Sequence, residues 1–471
     1  MSAGQGGRRP RPGQGGRPER GGRPGQGGRP GQGGRPGQGG PSDQGGRSER
    51  GGRPEQGGRS ERGRRSEQAG RSERGGRPQR GGRSAGDARP ARSPRATTTR
   101  SVHRAPVPAA VELTFLPGLR DVLAAEVGEA LPGARGLRDV PGRDDALELR
   151  LPGALAPVAR LRTAVAAWVV VHLDVPRPRS ITSPEHLQRV VDAVYASLRV
   201  AGSSTFRFEA AGSDSAAFRR LGELLHEATG LRHEPEHGDL VLRVRRGPRT
   251  GEAPDVDPGW DVLVRVGPRP LSARTWRVAD FPGAANATIA AAMARLAGVH
   301  DDDRVLNLMC GSGTLLAERL LAGPAAAALG VDLAEPALDA ARANLEAAGL
   351  LGRASRTSLV RGDATDADAV GAAVAAHLAV GDRPAAADVV LADPPWGTLH
   401  GSHAASPALH ADLLRVAHAV SAPGARLVVL THEVKVMERV VRDAADLWRP
   451  VSVTRVFAKG HHPRVHVLRR V

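Results

Sequence analysis

Three loops in the second half of the chain carry residues that could bind a nucleoside, and each follows a short apolar strand. The loop Met309 to Thr314 joins the predicted strand Arg304 to Leu308 to a helix. Its Gly311 and Gly313 would let the backbone turn tightly and approach a ligand at the helix N-terminus. Asp332 ends the next predicted strand, where a carboxylate can bind the two hydroxyls of a ribose.

The third loop, Arg361 to Thr365, places Asp363 after a third predicted strand. Its carboxylate could accept a hydrogen bond from an adenine amino group. A glycine turn alone is weak evidence, because any strand-to-helix turn can use glycine, and a single acidic residue at a strand end is often a helix cap. Three such loops in this order favour a nucleoside-binding edge of a sheet.

A fourth loop is the most specific. Asp393, Pro394, Pro395 and Trp396 follow the predicted strand Val389 to Ala392, and the two prolines stiffen the loop. The ordered segments NLMCGSGT, GVD, GDAT and ADPPWG resemble the motifs of S-adenosylmethionine-dependent class I methyltransferases that act on exocyclic amines. The resemblance implies S-adenosylmethionine as the cofactor and requires no metal.

The same resemblance assigns roles to the fourth loop. An exocyclic amine lends its lone pair to the base ring, so acceptors must hold its hydrogens while that lone pair turns toward the methyl group. By resemblance, Asp393 supplies an acceptor side chain and Pro394 a carbonyl, Pro395 completes the rigid loop, and Trp396 stacks on a flipped base. Tyr or Phe is commoner in the family where Trp396 stands.

The resemblance also implies a set of cofactor-binding residues. Asn307 stands where the family usually has Asp, a change that would weaken a contact to the methionine amino group of the cofactor. The full expected set is Asn307, Gly311, Gly313, Thr314, Asp332, Asp363 and Ala364.

Upstream segments resemble THUMP-containing guanine methyltransferases, more loosely than the catalytic loops do. The segments are Arg269 to Arg277, Pro282 to Met293, Phe115 to Leu119, Leu161 to Ala164, and Thr205 to Glu209. In total the resemblance covers roughly residues 107–471. It implies methyl transfer to the 2-amino group of a guanosine in the acceptor stem of tRNA, at the sixth nucleotide in the family, with the THUMP module holding the 3′ end.

Two alternatives stay open. The first keeps the fold but changes the substrate to a guanine or an adenine of ribosomal RNA. The second is a noncatalytic RNA-binding protein that retains the cofactor fold. The complete set of loops argues against the second alternative.

Regularly alternating helices and strands must position these loops. They predict βαβ units in an α/β, Rossmann-like domain over residues 281–471, with a mostly parallel sheet and a closing antiparallel hairpin formed by Val451 to Phe457 and Val465 to Leu468. Residues 105–250 mix strands and helices as an α+β, ferredoxin-like and THUMP-like RNA-binding region. A linker is expected over residues 251–280.

The N-terminal arm, residues 1–104, holds 25 Arg and 8 acidic residues, a net charge of +17 that equals the excess of the whole chain of 471 residues. The arm contains half of the 60 glycines and none of the aromatic residues, and it repeats in steps of six from Arg11 to Gly82. The composition predicts a disordered cationic arm that contacts RNA nonspecifically through phosphates and bases. A solubilising leader with no specific partner is the other interpretation.

The remaining features exclude several classes of protein. A single Cys, Cys310, excludes an intrachain disulfide framework and a zinc ribbon, and its place in a turn suggests a packed residue and not a nucleophile. His461 and His462 could suggest a metal site, but a hairpin turn is favoured. No apolar run is long enough for a membrane span, so we expect a cytoplasmic protein without a membrane partner.

Overall fold

The computed structural model describes residues 109–248, 256–352, 356–396 and 406–471. The predicted arm, residues 1–104, lies outside these ranges. None of the described helices is long and apolar enough to cross a membrane.

The first half of the described chain is an α+β unit built on one mixed sheet. Its strands follow the order β2-β3-β1-β4-β8-β7-β5-β6. The elements are β1 (Ala109–Thr114), α1 (Arg120–Ala130), β2 (Arg135–Asp139), β3 (Ala146–Leu151), β4 (Ala166–Leu173), α2 (Pro184–Leu198), β5 (Thr205–Glu209), α3 (Ala216–Thr229), β6 (Arg232–His233), β7 (Leu240–Arg246) and β8 (Trp260–Arg265).

The structure differs from the sequence prediction at the expected linker, residues 251–280. Strand β8 lies within that stretch and pairs antiparallel with both β4 and β7 inside the sheet. Its Val262, Leu263 and Val264 are fully buried. Sequence reasoning missed this strand because it is short and directly follows a stretch rich in Pro, Gly and Asp.

The second half is a doubly wound α/β domain with a seven-stranded sheet of order β11-β10-β9-β12-β13-β15-β14. The elements are α4 (Ala287–Ala297), β9 (Arg304–Leu308), α5 (Thr314–Ala322), β10 (Ala327–Asp332), α6 (Glu335–Ala347), β11 (Thr357–Arg361), α7 (Ala367–His377), β12 (Ala387–Ala392), α8 (Ser406–Ala419), β13 (Ser421–Thr431), α9 (Val434–Asp443), β14 (Trp448–Arg455) and β15 (Arg464–Arg470).

Pairing within this sheet confirms the predicted fold class. Strands β9 to β13 pair in parallel, and β15 is antiparallel to both β13 and β14. Strand β9 is buried along its whole length, as expected for a central parallel strand covered by helices on both faces. The carboxyl ends of β9, β10, β11 and β12 therefore meet at one edge, with their four loops side by side.

Polar and apolar contacts join the two halves. Glu318 in α5 is fully buried and pairs with Arg162 and Arg274, at 2.7 Å in each case. Leu119, at the start of α1, belongs to the same apolar cluster as Trp276 and residues of the second sheet. Because Glu318 lies on the helix that follows the first loop, these ion pairs tie the first half to that helix.

Candidate active site

A cavity of about 770 Å³ opens at the loop edge of the second sheet. This size is within the range usual for small-molecule sites. The loops after β9, β10, β11 and β12 form its walls together with the segment that precedes α4. The lining residues are Phe281, Pro282, Gly283, Ala284, Ala285, Met309, Cys310, Gly311, Ser312, Thr314, Leu315, Asp332, Leu333, Ala334, Asp363, Ala364, Asp393, Pro394, Pro395, Trp396 and Leu409.

The first loop requires both of its glycines, but for different reasons. Gly311 and Gly313 have φ of 53° and 74°, in the left-handed region. A Cβ on Gly313 would lie 3.1 Å from the Cβ of Ala341 in α6, whereas a Cβ on Gly311 would meet no atom within 4 Å. Gly313 therefore allows the start of α5 to pack closely against α6, and it does not line the cavity. Gly311 lines the cavity and leaves open space for a ligand.

Asp332 connects the first and second loops. Its Oδ2 accepts a hydrogen bond from the Gly311 N–H at 2.8 Å, and its Oδ1 accepts one from the Ala334 N–H at 3.0 Å. Each oxygen keeps a second lone-pair direction. The carboxylate is thus fixed at the cavity wall and retains acceptor capacity for ribose hydroxyls.

Asp363 lies in the third loop and lines the cavity. Its Oδ1 accepts hydrogen bonds from the Thr365 hydroxyl at 2.7 Å and from the Thr365 N–H at 2.8 Å, and these bonds hold the pKa of the carboxyl below its usual range. The helix that follows is capped by a different residue, Asp366. Asp363 is therefore free of the capping role that could otherwise have explained an acid here.

Asn307 lies beneath these loops and does not line the cavity. Its side chain is fully buried, and its Nδ2 donates to the carbonyls of Leu391 at 3.1 Å and Leu308 at 3.2 Å. Its Oδ1 finds no hydrogen-bond partner among the described residues. The amide thus links β9 to β12, and its expected contact with the cofactor stays a prediction.

The carboxyl of Asp393 is the most unusual polar group in the cavity. Its Oδ1 is buried and has no hydrogen-bond partner within the described ranges, and burial raises the pKa of the carboxyl to about 7. Pro394, Pro395 and Trp396 line the cavity beside it. An unpaired buried acceptor is costly, so its presence indicates a hydrogen-bond donor that arrives with a ligand.

Trp396 belongs to an aromatic cluster that sequence reasoning missed. Its ring stacks on His432, with centroids 3.7 Å apart and planes 16° from parallel, and the ring centroid of His461 lies 5.2 Å away in an edge-on arrangement. Burial, together with the charge of His461, lowers the pKa of His432 to about 4, so the stacked imidazole is neutral at pH 7. His432 follows β13, and only the sheet order brings it to the loop after β12.

His461 reaches this cluster from the closing hairpin. Lys459 and Gly460 have φ of 50° and 81°, and Ala458 bridges to His461 across them. Two central residues with positive φ are the mark of a tight hairpin turn, which confirms the predicted turn. The described residues contain no group of three or more His, Cys, Asp or Glu side chains that could hold a metal ion.

Cys310 is buried in the first loop, and burial raises the pKa of its thiol. The thiol therefore stays protonated at neutral pH and is a poor nucleophile. Its Sγ occupies the space beside Gly330, where an added Cβ would lie 3.2 Å away. This packing agrees with the predicted role of a small core residue.

Comparisons with known proteins agree with this geometry. A family model of the RMKL-like methyltransferase domain matches residues 274–464. A tRNA (guanine(6)-N2)-methyltransferase of Thermus thermophilus is 30% identical over 372 residues, which are 77% of this chain and 99% of that protein.

Solved structures show the same architecture. The crystal structure of TrmN from Thermus thermophilus is 27% identical, covers 77% of this chain and 99% of its own, and has a TM-score of 0.56. A predicted N6-adenine-specific DNA methylase from Listeria monocytogenes covers 77% of this chain and 96% of its own, with a TM-score of 0.50 and 16% identity. The second likeness concerns the fold alone.

Proposed function

Because the chain belongs to the RMKL-like methyltransferases and is an S-adenosylmethionine-dependent RNA guanine methyltransferase, we propose that it methylates the 2-amino group of a guanosine in tRNA. One observation of the site carries the proposal: the buried, unpaired carboxyl of Asp393 lies beside Trp396 in the cavity. An acceptor next to an aromatic ring is the arrangement needed to hold a planar base by its amino group. The Thermus relative is named for this reaction.

The cavity fits the cofactor. Gly311 leaves space at the N-terminus of α5, and Asp332 offers acceptor capacity for the ribose hydroxyls. Asp363 and Ala364 also line the cavity, where they would hold the adenine part of the cofactor, and Thr314 would hold the methionine part. When bound, S-adenosylmethionine supplies a methyl group that its sulfonium already activates.

The work left to the chain is positioning. Ionised Asp393 accepts a hydrogen bond from one N–H of the guanine 2-amino group, and the Pro394 carbonyl accepts a hydrogen bond from the other, so the nitrogen lone pair turns out of the ring plane. The carboxylate also stabilises the positive charge that develops on the nitrogen. The stacking surface of Trp396 holds the flipped base in the plane that this alignment requires.

The finer parts of the proposal concern the RNA. We assign the first half, which begins near residue 105 and extends through β8, to a THUMP-like module that binds the RNA, and we place the target in the acceptor stem at the sixth nucleotide. Support comes from the Thermus relative, which this chain matches over 99% of its length and whose name specifies guanine 6. The arm adds nonspecific RNA affinity, which predicts a binding constant that falls with salt more steeply for the full chain than for residues 105–471.

Methyl transfer from labelled S-adenosylmethionine tests the substrate. Total tRNA and ribosomal RNA from a strain that lacks this protein are offered separately, and the products are digested to nucleosides. We expect N2-methylguanosine in tRNA only. Label in ribosomal RNA would identify that RNA as the substrate, and labelled methyladenosine would identify adenine as the target base. If the cofactor binds but neither RNA is labelled, a noncatalytic RNA-binding role would be favoured.

A further inference from the structure

The segment Val278 to Ala285, called here the roof segment, closes one side of the cavity although it buries little of itself. Its residues Phe281 to Ala285 line the cavity. Val278 is 64% exposed, and Pro282 and Gly283 are exposed as well. Apolar burial therefore contributes little to holding this segment over the site.

The first end of the roof segment is bound by Asn344 in α6, a fully buried residue. Its Oδ1 accepts hydrogen bonds from the N–H groups of Val278 and Ala279, both at 2.9 Å. Its Nδ2 donates to the carbonyls of Ala279 at 3.2 Å and Ser312 at 3.1 Å. The side-chain amide thus uses both donors and both lone pairs of its acceptor, and it ties the roof segment to the glycine loop.

The second end is bound by Arg277. Its Nη2 donates to the carbonyl of Ala285 at 2.7 Å and to the hydroxyl of Thr314 at 2.7 Å. Thr314 begins α5 and lines the cavity. Both ends of the roof segment are therefore joined by side-chain hydrogen bonds to the loop that borders the cofactor space.

The rest of the segment has few internal restraints. Its backbone hydrogen bonds run from the Val278 N–H to the Trp276 carbonyl at 3.0 Å and from the Ala284 N–H to the Phe281 carbonyl at 3.1 Å. Beyond it, Trp276 is buried, and Asn286 caps α4 by accepting from the first N–H groups of that helix. The anchors at the two flanks fix where the segment begins and ends, and Asn344 and Arg277 fix its distance from the glycine loop.

We propose that Asn344 and Arg277 are positioning residues that hold the roof segment against the glycine loop and thereby set the affinity for S-adenosylmethionine. Neither residue lines the cavity, so both act through the groups that they hold: the roof segment on one side, and Ser312 and Thr314 of the glycine loop on the other. The consequence is confined to the cofactor, because Asp393 and Trp396 lie on a different wall, formed by the loop after β12. The inference rests on the proposed function only for its kinetic readout, since cofactor binding is measured without RNA.

The experiment compares Asn344→Ala and Arg277→Met with the control variant Met437→Ala in the full-length chain. Met437 is fully buried in α9 and does not line the cavity, so its truncation lowers stability without touching the roof segment. The Kd of S-adenosylmethionine is measured by calorimetry below the unfolding temperature of every variant. Amide hydrogen exchange is followed at Val278 and Ala279.

Loss of two or more hydrogen bonds predicts that Asn344→Ala weakens cofactor binding by at least about tenfold. The amides of Val278 and Ala279 should exchange faster in that variant, and Arg277→Met should also weaken binding, with partial rescue in Arg277→Lys. With tRNA as substrate, KM for the cofactor rises, while kcat at saturating cofactor and KM for tRNA stay within about threefold. Met437→Ala should keep the wild-type Kd.

Several results would overturn the inference. They are wild-type cofactor affinity in folded Asn344→Ala and Arg277→Met, an equal loss of affinity in Met437→Ala, or no cofactor binding by the wild-type chain. If Asn344→Ala does not fold, the Kd of S-adenosylmethionine in Arg277→Met and Arg277→Lys tests the inference, because Arg277 is only half-buried. Cofactor binding that depends on these residues, in a chain that transfers no methyl group to tRNA, would uphold the inference while rejecting the proposed function.

Discussion

The indole of Trp396 and the imidazole of His432 stack face to face, with centroids 3.7 Å apart and planes 16° from parallel. Trp396 follows β12 and His432 follows β13, the next strand of the sheet. His432 covers one face of the indole, and Trp396 remains 37% exposed. A target base is therefore expected to stack on the opposite face, with His432 supporting the ring from behind.

This relationship predicts the effect of changing His432. Stacked rings contribute about 0.5–1.5 kcal/mol beyond their buried area, so His432→Ala should lower kcat/KM for tRNA by roughly threefold to tenfold. His432→Phe keeps a ring behind the indole and should retain most of the activity. Steady-state kinetics check both variants, and S-adenosylmethionine binding should match the wild type. Faster turnover in His432→Ala would show instead that the imidazole occupies the place of the base.

The raised pKa of Asp393 predicts how the rate depends on pH. Burial raises the pKa of this carboxyl to about 7, and its ionised form is the one that accepts hydrogen bonds from the amine and stabilises positive charge on it. In the free enzyme, kcat/KM should therefore rise about tenfold per pH unit well below pH 7 and level off above it. His432 does not confuse the profile, because its pKa is about 4. A profile that is flat from about pH 5.5 to about pH 8 would contradict the prediction.

The same carboxyl predicts a stability difference for Asp393→Asn. The ordinary pKa of Asp is 3.8, and the folded-state pKa is about 7, so the folded chain binds the proton more tightly than the unfolded chain. Wild-type stability from this group should fall as pH rises from about 4 to about 7, by at most about 1.4 kcal/mol per pH unit, and then level off.

The side chain introduced in the variant Asp393→Asn cannot ionise, so the stability of this variant should not fall in the same way as pH rises. We expect it to unfold at a higher temperature than the wild type at pH 8 and at a similar temperature near pH 4.5, as seen by thermal denaturation at both values. If the unfolding temperatures of the variant and the wild type differed equally at the two pH values, ionisation of Asp393 would not destabilise the folded chain.

The two glycines of the first loop provide a matched pair. Gly311→Ala and Gly313→Ala both force a Cβ onto a left-handed residue, which costs about 1–2 kcal/mol. Only Gly313→Ala adds a close contact, 3.1 Å from the Cβ of Ala341, so it should be the less stable variant. Gly311→Ala should fold better but bind S-adenosylmethionine more weakly. Unfolding temperatures are measured by thermal denaturation, and the Kd of S-adenosylmethionine by calorimetry. Equal values of both quantities in the two variants would refute this division of roles.

Sequence reasoning reached the parts of the site that depend on local order. Short apolar strands and the residues after them were enough to place Gly311, Asp332 and Asp363 on one edge, because parallel strands bring their carboxyl ends together. The hydrogen bond from the Gly311 N–H to the Asp332 carboxylate confirms that the first and second loops lie side by side. The same logic located the loop that carries Asp393.

The missed parts depend on tertiary packing. His432 has no motif, and it reaches Trp396 only because β13 lies beside β12. Asn344 lies inside a helix, where its role depends on a segment about 65 residues earlier in the chain. Strand β2 escaped notice because all five of its residues are exposed. Asn307 stands at a motif position and is fully buried, and its contact with the cofactor stays a prediction.

The most direct test of the account measures N2-methylguanosine in tRNA after incubation with S-adenosylmethionine and either the wild-type chain or Asp393→Ala. Cofactor binding and tRNA binding are measured on the same preparations. We expect N2-methylguanosine with the wild type and a loss of roughly a hundredfold or more with the variant, while both binding constants stay within about threefold. Turnover by Asp393→Ala close to that of the wild type would contradict it.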